Sequence, residues 1–328
     1  MTDAPETVSE LGEAGVIALF TAHLPPPPVG EIWSGDDAAF VRTGARTLVT
    51  TDLLVEDVDF NMSYCNGYDV GWKAMAVNVS DIAAMGGRPT RAVGALALPT
   101  ATDAAVVGDI ARGLAAAART WEVDLIGGDV SSARELSIGI TLLGEPWGDA
   151  PVTREGASPG DVLCITGSVG SSWGGLVLLR GGASPDDPAA RSLIERHLHP
   201  QPRVQESRRL VAAGATAMID VSDGLAIDLL RLMEASGTGC DVDPRAVPVD
   251  PNLAVLRSVD GMENLDVEEG AILGGEDFEL LVTLPPAALD AAGSDVAVIG
   301  EVTSGGCRFG GRDLKEIGRK GWDHLRGR

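Results

Sequence analysis

Six short acidic motifs recur along this chain, each setting a carboxylate beside glycine, serine or threonine within apolar sequence. They are Gly35-Asp36-Asp37-Ala38, Thr50-Thr51-Asp52, Asn78-Val79-Ser80-Asp81, Gly127-Gly128-Asp129, Asp220-Val221-Ser222-Asp223-Gly224 and Gly274-Gly275-Glu276-Asp277. A carboxylate in an apolar setting is costly unless it is paired or holds a cation. Oxygen-only donors select a hard divalent ion. Mg²⁺ takes one or two carboxylates, adds substrate phosphate oxygens and keeps several waters. Scattered single aspartates suit that mode better than an EF-hand loop, whose alternating ligands no segment supplies.

Individual residues leave two readings open. Asp81 either lies on a helix surface beside Asn78 or sits where a metal must neutralise it. Asp223 or Ser222 either caps the following helix or, with Asp220 and Gly224, places metal and phosphate at a helix start. Arg154, in Thr153-Arg154-Glu155-Gly156, is either a surface arginine or the cation that stabilises a transferring phosphoryl group.

Other phosphate and nucleophile chemistries find no support. The three lysines are Lys73, Lys315 and Lys320, and none closes a Gly-x-x-x-x-Gly-Lys loop. Neither a protein-kinase motif set nor a dinucleotide fingerprint occurs. His23, His197, His199 and His324 read as surface or structural residues. What remains is phosphoryl transfer run by metal ions and positioning, which asks little covalent help of the protein.

Charge narrows the partners. Asp and Glu number 48 against 25 Lys and Arg, a formal net charge of -23. Such a body repels nucleic acid and anionic membrane surfaces. It can hold ATP only if Mg²⁺ inverts the local field, so several ions are expected. Four widely spaced cysteines, without a Cys-x-x-Cys pair, fit a reducing, cytoplasmic setting. The acidic N-terminus shows neither a signal-peptide run nor a membrane span.

The elements that must position these residues alternate between strand and helix. Residues 1–30 read as an amphipathic helix, Val8 to His23, and a proline spacer, Pro25 to Pro28. In residues 31–148, Arg46 to Thr51 reads as a strand ending at Asp52. A helix capped by Asp69 runs to Gly86-Gly87, and another starts near Thr102 or Asp103. Strands follow at Val123 to Ile126 and Leu136 to Leu143. Glu145 to Pro151 mixes proline and glycine and marks the boundary to a second domain, 149–328. There, Asp161 to Thr166, Ala217 to Asp220 and Phe278 to Leu284 read as strands. Ser171 to Arg180, Pro188 to His197, Arg203 to Ala213 and a segment through Leu225, Leu229 and Leu232 read as helices.

Taken in order, the six motifs resemble thiamine-monophosphate kinase. The likeness extends through Lys73-Ala-Met-Ala-Val-Asn-Val-Ser-Asp81, Gly274-Gly-Glu-Asp-Phe-Glu-Leu280 and the Lys320-Gly-Trp-Asp-His324 tail. The resemblance implies an α/β (α+β type) protein with the two-domain fold of aminoimidazole ribonucleotide synthetase, its mixed sheets covered by helices. It implies a homodimer joined through N-terminal-domain strands, and ATP plus thiamine monophosphate giving thiamine diphosphate and ADP. Asp37, Thr50, Thr51, Asp52, Asp81, Asp129, Asp220 and Asp223 would hold magnesium, converging on one pocket. Gly128, Asp129, Arg154 and Ser222 would contact ATP. Glu276 and Trp322 would contact the thiamine substrate, the indole face suiting a flat cationic ring.

Two positions depart from the family pattern. Asp59 stands where a substrate-contacting His is frequent, and Trp322 where Tyr is common; Asp59 could still face the cationic ring. The catalytic set implied is Asp52, Asp129, Arg154 and Asp223. Two other readings stay open: another ATP-dependent enzyme of the same fold, and a non-catalytic nucleotide- or metal-binding protein.

Overall fold

The computed structural model describes residues 46–181, 186–259, 261–262 and 265–318, together with 7, 19–26, 28–29 and 43. The Gly35-Asp36-Asp37-Ala38 motif, most of the expected N-terminal helix, and the tail with Lys320 and Trp322 lie outside the described residues. The chain divides into two compact units. One comprises residues 1–82 and 88–145, the other 83–87 and 146–328.

The first unit is a four-stranded sheet in the order β1-β4-β2-β3, with β1 Leu48–Val55, β2 Gly87–Leu98, β3 Asp124–Ser132 and β4 Ser137–Pro146. Two helices accompany it, α1 Gly67–Ala84 and α2 Ala104–Thr120. α1 begins in a capping box: Asn66 Oδ1 accepts from the N–H of Tyr68 and Asp69, and Asp69 Oδ2 accepts from the N–H of Asn66. The cap is therefore Asn66, with Asp69 as its reciprocal partner. α2 is capped by Asp103, as its sequence indicates. Val107, Ile110, Ala111, Leu114 and Ala118 recur at helical spacing and are buried. Gly113 lets the two helices meet at backbone distance, since a Cβ there would stand 2.0 Å from the Tyr68 carbonyl oxygen.

β1 and β4 pair antiparallel, with Asp52 opposite Ile140, and β2 and β3 pair parallel, with Gly94 opposite Gly128. One face of the sheet supplies core residues such as Leu96, Ile138, Ile140 and Leu142. The alternate positions Val49, Leu53 and Val93 are exposed, the first two by 64% and 62%. β2 is an element the residue pattern did not indicate. β1 runs past Asp52 to Val55, and β3 runs through Gly127-Gly128-Asp129 instead of ending before it.

The second unit is a seven-stranded mixed sheet in the order β11-β10-β7-β9-β5-β8-β6. Its strands are β5 Val162–Thr166, β6 Ala217–Asp220, β7 Gly239–Val242, β8 Leu280–Leu284, β9 Val296–Thr303, β10 Cys307–Phe309 and β11 Arg312–Asp313. The main helices are α3 Ser171–Arg180, α4 Pro188–Leu198, α5 Val204–Ala213, α6 Leu225–Ser236 and α7 Val267–Leu273. Leu163, Ile165, Ile219 and Leu281 from the strands pack with Leu178, Leu193, Leu225, Leu229 and Leu232 from the helices in one apolar core. No described helix is long and apolar enough to cross a membrane.

Candidate active site

In the first unit, β1 and α1 bring two carboxylates together. Strand alternation turns Thr50 and Asp52 to one face, and the Thr50 hydroxyl donates to Asp81 Oδ2 on α1. Asn78, one turn before Asp81, is fully buried. Its side-chain oxygen accepts from the Asp52 N–H at 3.1 Å while its amide donates to the Ala74 carbonyl at 3.0 Å. Burial, and then the neighbouring Asp81 charge, push the Asp52 carboxyl up to about 7; Asp59 adds to this. Two partly buried carboxylates sharing one site strongly disfavour double ionisation, which a divalent cation would relieve.

The other expected residues of this unit are placed differently. The Thr51 hydroxyl lies on the opposite strand face, where it donates to the Ile140 carbonyl and accepts from Thr141. The period of two thus separates its side chain from Thr50 and Asp52. Asp59 Oδ2 accepts from the Val55 N–H at 2.8 Å, and the buried Lys73 ammonium donates to the Asp59 carbonyl at 3.0 Å. Asp59 is therefore tied into its own loop. Asp129 is exposed on β3, at the opposite edge of the sheet from β1. Three interstrand spacings, roughly 14 Å, separate the two edges, so Asp129 does not join the Asp52–Asp81 pair. Gly128 is fixed by a close approach: a Cβ there would stand 2.2 Å from the Gly94 carbonyl oxygen on β2.

In the second unit, the turn after β6 and the Gly274-Gly275-Glu276-Asp277 loop are bound together. The Glu276 N–H donates to the Ser222 carbonyl at 2.8 Å, and the Phe278 N–H to the Val221 carbonyl at 2.9 Å. Glu276 and Phe278 both hold positive φ, 66° and 52°, a conformation non-glycine residues adopt rarely and chiefly where surrounding structure enforces it. Asp220 is buried, while Ser222 and Asp223 are half-buried. Neither Ser222 nor Asp223 caps α6. The cap position is Gly224, with φ 116° and no side-chain bond.

Three groups were not singled out by residue pattern. Asp228, fully buried, accepts from the N–H groups of Ser222 and Asp223 at 3.0 and 2.9 Å. Glu279, also fully buried, accepts from Arg203 through two nitrogens at 2.6 and 2.5 Å, from Arg196 at 3.0 Å and from Thr166 at 2.7 Å. His197 is buried, the structural of the two readings given for it. Its Nδ1 lies 2.9 Å from Ser172 Oγ and 3.4 Å from Glu276 Oε2. Arg154 is exposed, and its carbonyl accepts from Ser236 Oγ.

Family models for AIR synthase related proteins match both parts of the chain, the N-terminal domain over residues 35–145 and the C-terminal domain over 158–309. A thiamine-monophosphate kinase of Mycobacterium tuberculosis is 36% identical over 281 residues, covering 85% of this chain and 82% of that protein. The chain belongs to the thiamine-monophosphate kinase family. The crystal structure of the family member from Aquifex aeolicus has a TM-score of 0.74 at 32% identity, over 81% of this chain and 89% of that one. AaThiL complexed with AMPPCP and TMP gives 0.76 at 32% identity, over 94% and 96%. The two-domain α/β architecture expected from the resemblance is therefore the observed one.

Among the described residues, no three His, Cys, Asp or Glu side chains gather closely enough to hold a metal by themselves. The Asp52–Asp81 pair with Thr50 instead offers two carboxylates and a hydroxyl. That donor set suits Mg²⁺ completing its octahedron with water and phosphate oxygens.

Proposed function

We propose that this chain phosphorylates thiamine monophosphate to thiamine diphosphate, with ATP as donor and several Mg²⁺ ions as cofactor. The observation that carries the reading is the paired Asp52 and Asp81 in a chain whose relatives across most of its length are thiamine-monophosphate kinases. Asp52, Asp81 and Thr50 would hold magnesium in the first unit, with Asp37 as a further ligand, and Asp129 on the other edge strand would hold a separate ion. Asp220 and Asp223 would serve in the second. Thr51 can contribute only through its main chain. Magnesium, when bound, would cancel the repulsion between two anionic phosphate groups and stabilise charge on the transferred phosphoryl.

The protein's own residues do the positioning. In the first unit Gly128 would offer main chain to phosphate. In the second, Ser222 would contact ATP through its side chain, its amide and carbonyl being bound to Asp228 and Glu276, and the exposed Arg154 would supply a cation. Glu276, Asp59 and Trp322 would face the cationic thiamine end. The acceptor oxygen is already ionised near neutral pH, so no strong general base is required. The work is alignment for in-line transfer. His197, behind Glu276, keeps that carboxylate oriented.

The exposed face of the four-stranded sheet, carrying Val49, Leu53 and Val93, supports a homodimer in which a second copy covers it. Four free cysteines are consistent with a cytoplasmic location. The test is formation of thiamine diphosphate and ADP from ATP and thiamine monophosphate by the purified chain. ATP binding without product would favour a non-catalytic nucleotide-binding role.

A further inference from the structure

Asp228 sits in the first turn of α6, on the face that the helix buries, and is fully buried itself. Its Oδ2 receives both N–H groups of the turn that carries Ser222 and Asp223. Its Oδ1 accepts from Arg231 Nη1 at 2.7 Å, and the same nitrogen donates to Asp223 Oδ2 at 2.5 Å. Asp223 is thus held twice, through its main chain by Asp228 and through its carboxylate by Arg231. We infer that Asp228 is a positioning residue for Asp223, and that Arg231 is a resident counter-ion that occupies the Asp223 carboxylate until a divalent cation takes it over.

This inference rests on the reading of Asp223 as a magnesium ligand. The physical reason is that the exchange orphans no charge. When a cation claims Asp223 Oδ2, Arg231 keeps its bond to Asp228 Oδ1, and the buried Asp228 keeps a cationic partner. Without Arg231, a buried carboxylate and a half-buried one would face each other across the turn, a costly arrangement in the metal-free protein. With Arg231, the turn keeps one shape in both states, so the ligand is preorganised at the cost of a competitor for it.

The two residues should therefore act with opposite sign on metal affinity. Arg231→Gln removes the competitor and leaves Asp223 in place. Asp228→Asn keeps an oxygen to receive the turn amides but no longer shares Arg231, which then pairs with Asp223 alone. The experiment titrates MgCl₂ into the full-length protein with AMPPCP at fixed concentration and reads nucleotide binding by calorimetry. Asp223→Asn serves as control, and circular dichroism melts check folding.

Arg231→Gln is expected to lower the half-saturating Mg²⁺ concentration by about threefold to tenfold, and Asp228→Asn to raise it by a similar factor. An Arg231→Gln protein that binds Mg²⁺ no better than wild type, while Asp223→Asn binds it worse, overturns the counter-ion role. An Asp223→Asn protein that titrates like wild type overturns the metal assignment itself and this inference with it. If Asp228→Asn does not fold, the Arg231→Gln titration decides alone.

Discussion

Asp81 on α1 stands against Asp52 on β1, and its charge adds to burial in raising the Asp52 carboxyl to about 7. The metal-free fold therefore carries a repulsion it would be more stable without. Asp52→Asn should separate stability from function. Its thermal midpoint is expected to rise at pH 8, reflecting roughly 1–2 kcal/mol of relieved repulsion. Its kinase activity is expected to fall by about 100-fold or more. A melt and a coupled ADP assay on the same preparation check both. A variant that loses activity and melts earlier would contradict a functional origin for the pair.

Glu279 makes a different use of charge, since all its partners are inside the second unit. Its side chain is fully buried and held by Arg203, Arg196 and Thr166. Arg203→Ala removes the two-nitrogen clamp and leaves the carboxylate with one arginine and one hydroxyl. The expected cost is about 3–5 kcal/mol, the range for breaking a buried ion pair from one side. Urea denaturation followed by tryptophan fluorescence measures it. A loss under 1 kcal/mol would mean that the pair is solvated in solution.

Asp277 supplies a pH signature. Burial, opposed by hydrogen bonds from the Gly170 and Ser172 amides, raises its carboxyl from 3.8 to about 7. Between those values the folded protein retains a proton that the unfolded chain has released. The stability associated with this group is present at low pH and is lost as pH rises from about 4 through 7. The slope is at most about 1.4 kcal/mol per pH unit. Asp277→Asn has no proton to lose; its amide meets one backbone N–H unfavourably, but that cost is the same at every pH. The stability difference between wild type and variant should therefore shrink as pH rises from 5 to 8. Equal differences at both ends would place the Asp277 titration below this range.

Much of the second unit was legible in the residues themselves. Ser171–Arg180 and Ala217–Asp220 were bounded correctly because apolar runs end there at glycine or at a polar turn. β2 was missed for a physical reason. It opens on Gly87-Arg88-Pro89, and its exposed positions include Val93 and Ala95, so the alternation carries little hydrophobic contrast. Gly127-Gly128-Asp129 looked like a strand end because glycine usually breaks a strand, whereas here Gly128 admits the neighbouring backbone.

The candidate site was only partly legible. Asp52 and Asp81 meet as their motifs suggest, while Asp129 lies on the other edge strand and Asp223 in the other unit. Asp228 could have been found. It falls three residues after Leu225 and four before Leu232, on the stripe that α6 buries, and an aspartate on such a stripe needs partners. His197 and Glu279 gave no comparable local signal, since their partners come from distant segments.

Gly128 offers the last test, because it ties backbone packing to the proposed nucleotide contact. A Cβ at this position would meet the Gly94 oxygen, carbon and nitrogen at 2.2, 3.1 and 3.3 Å, all of them main-chain atoms that cannot rotate away. Gly128→Ala must therefore lift β3 from β2 next to Asp129. The expected loss is about 1–3 kcal/mol in stability, as for other overpacked sites, together with weaker binding of AMPPCP. Gly108→Ala on α2 is the control, since its Cβ would have only the Arg112 side chain nearby, at 3.9 Å. It should gain about 0.5–1 kcal/mol as glycine in a helix is replaced, with nucleotide affinity unchanged. If Gly128→Ala bound AMPPCP as tightly as the Gly108→Ala protein, the strand at Gly128-Asp129 would have no part in holding the nucleotide, and the ATP-contact assignment there would fall.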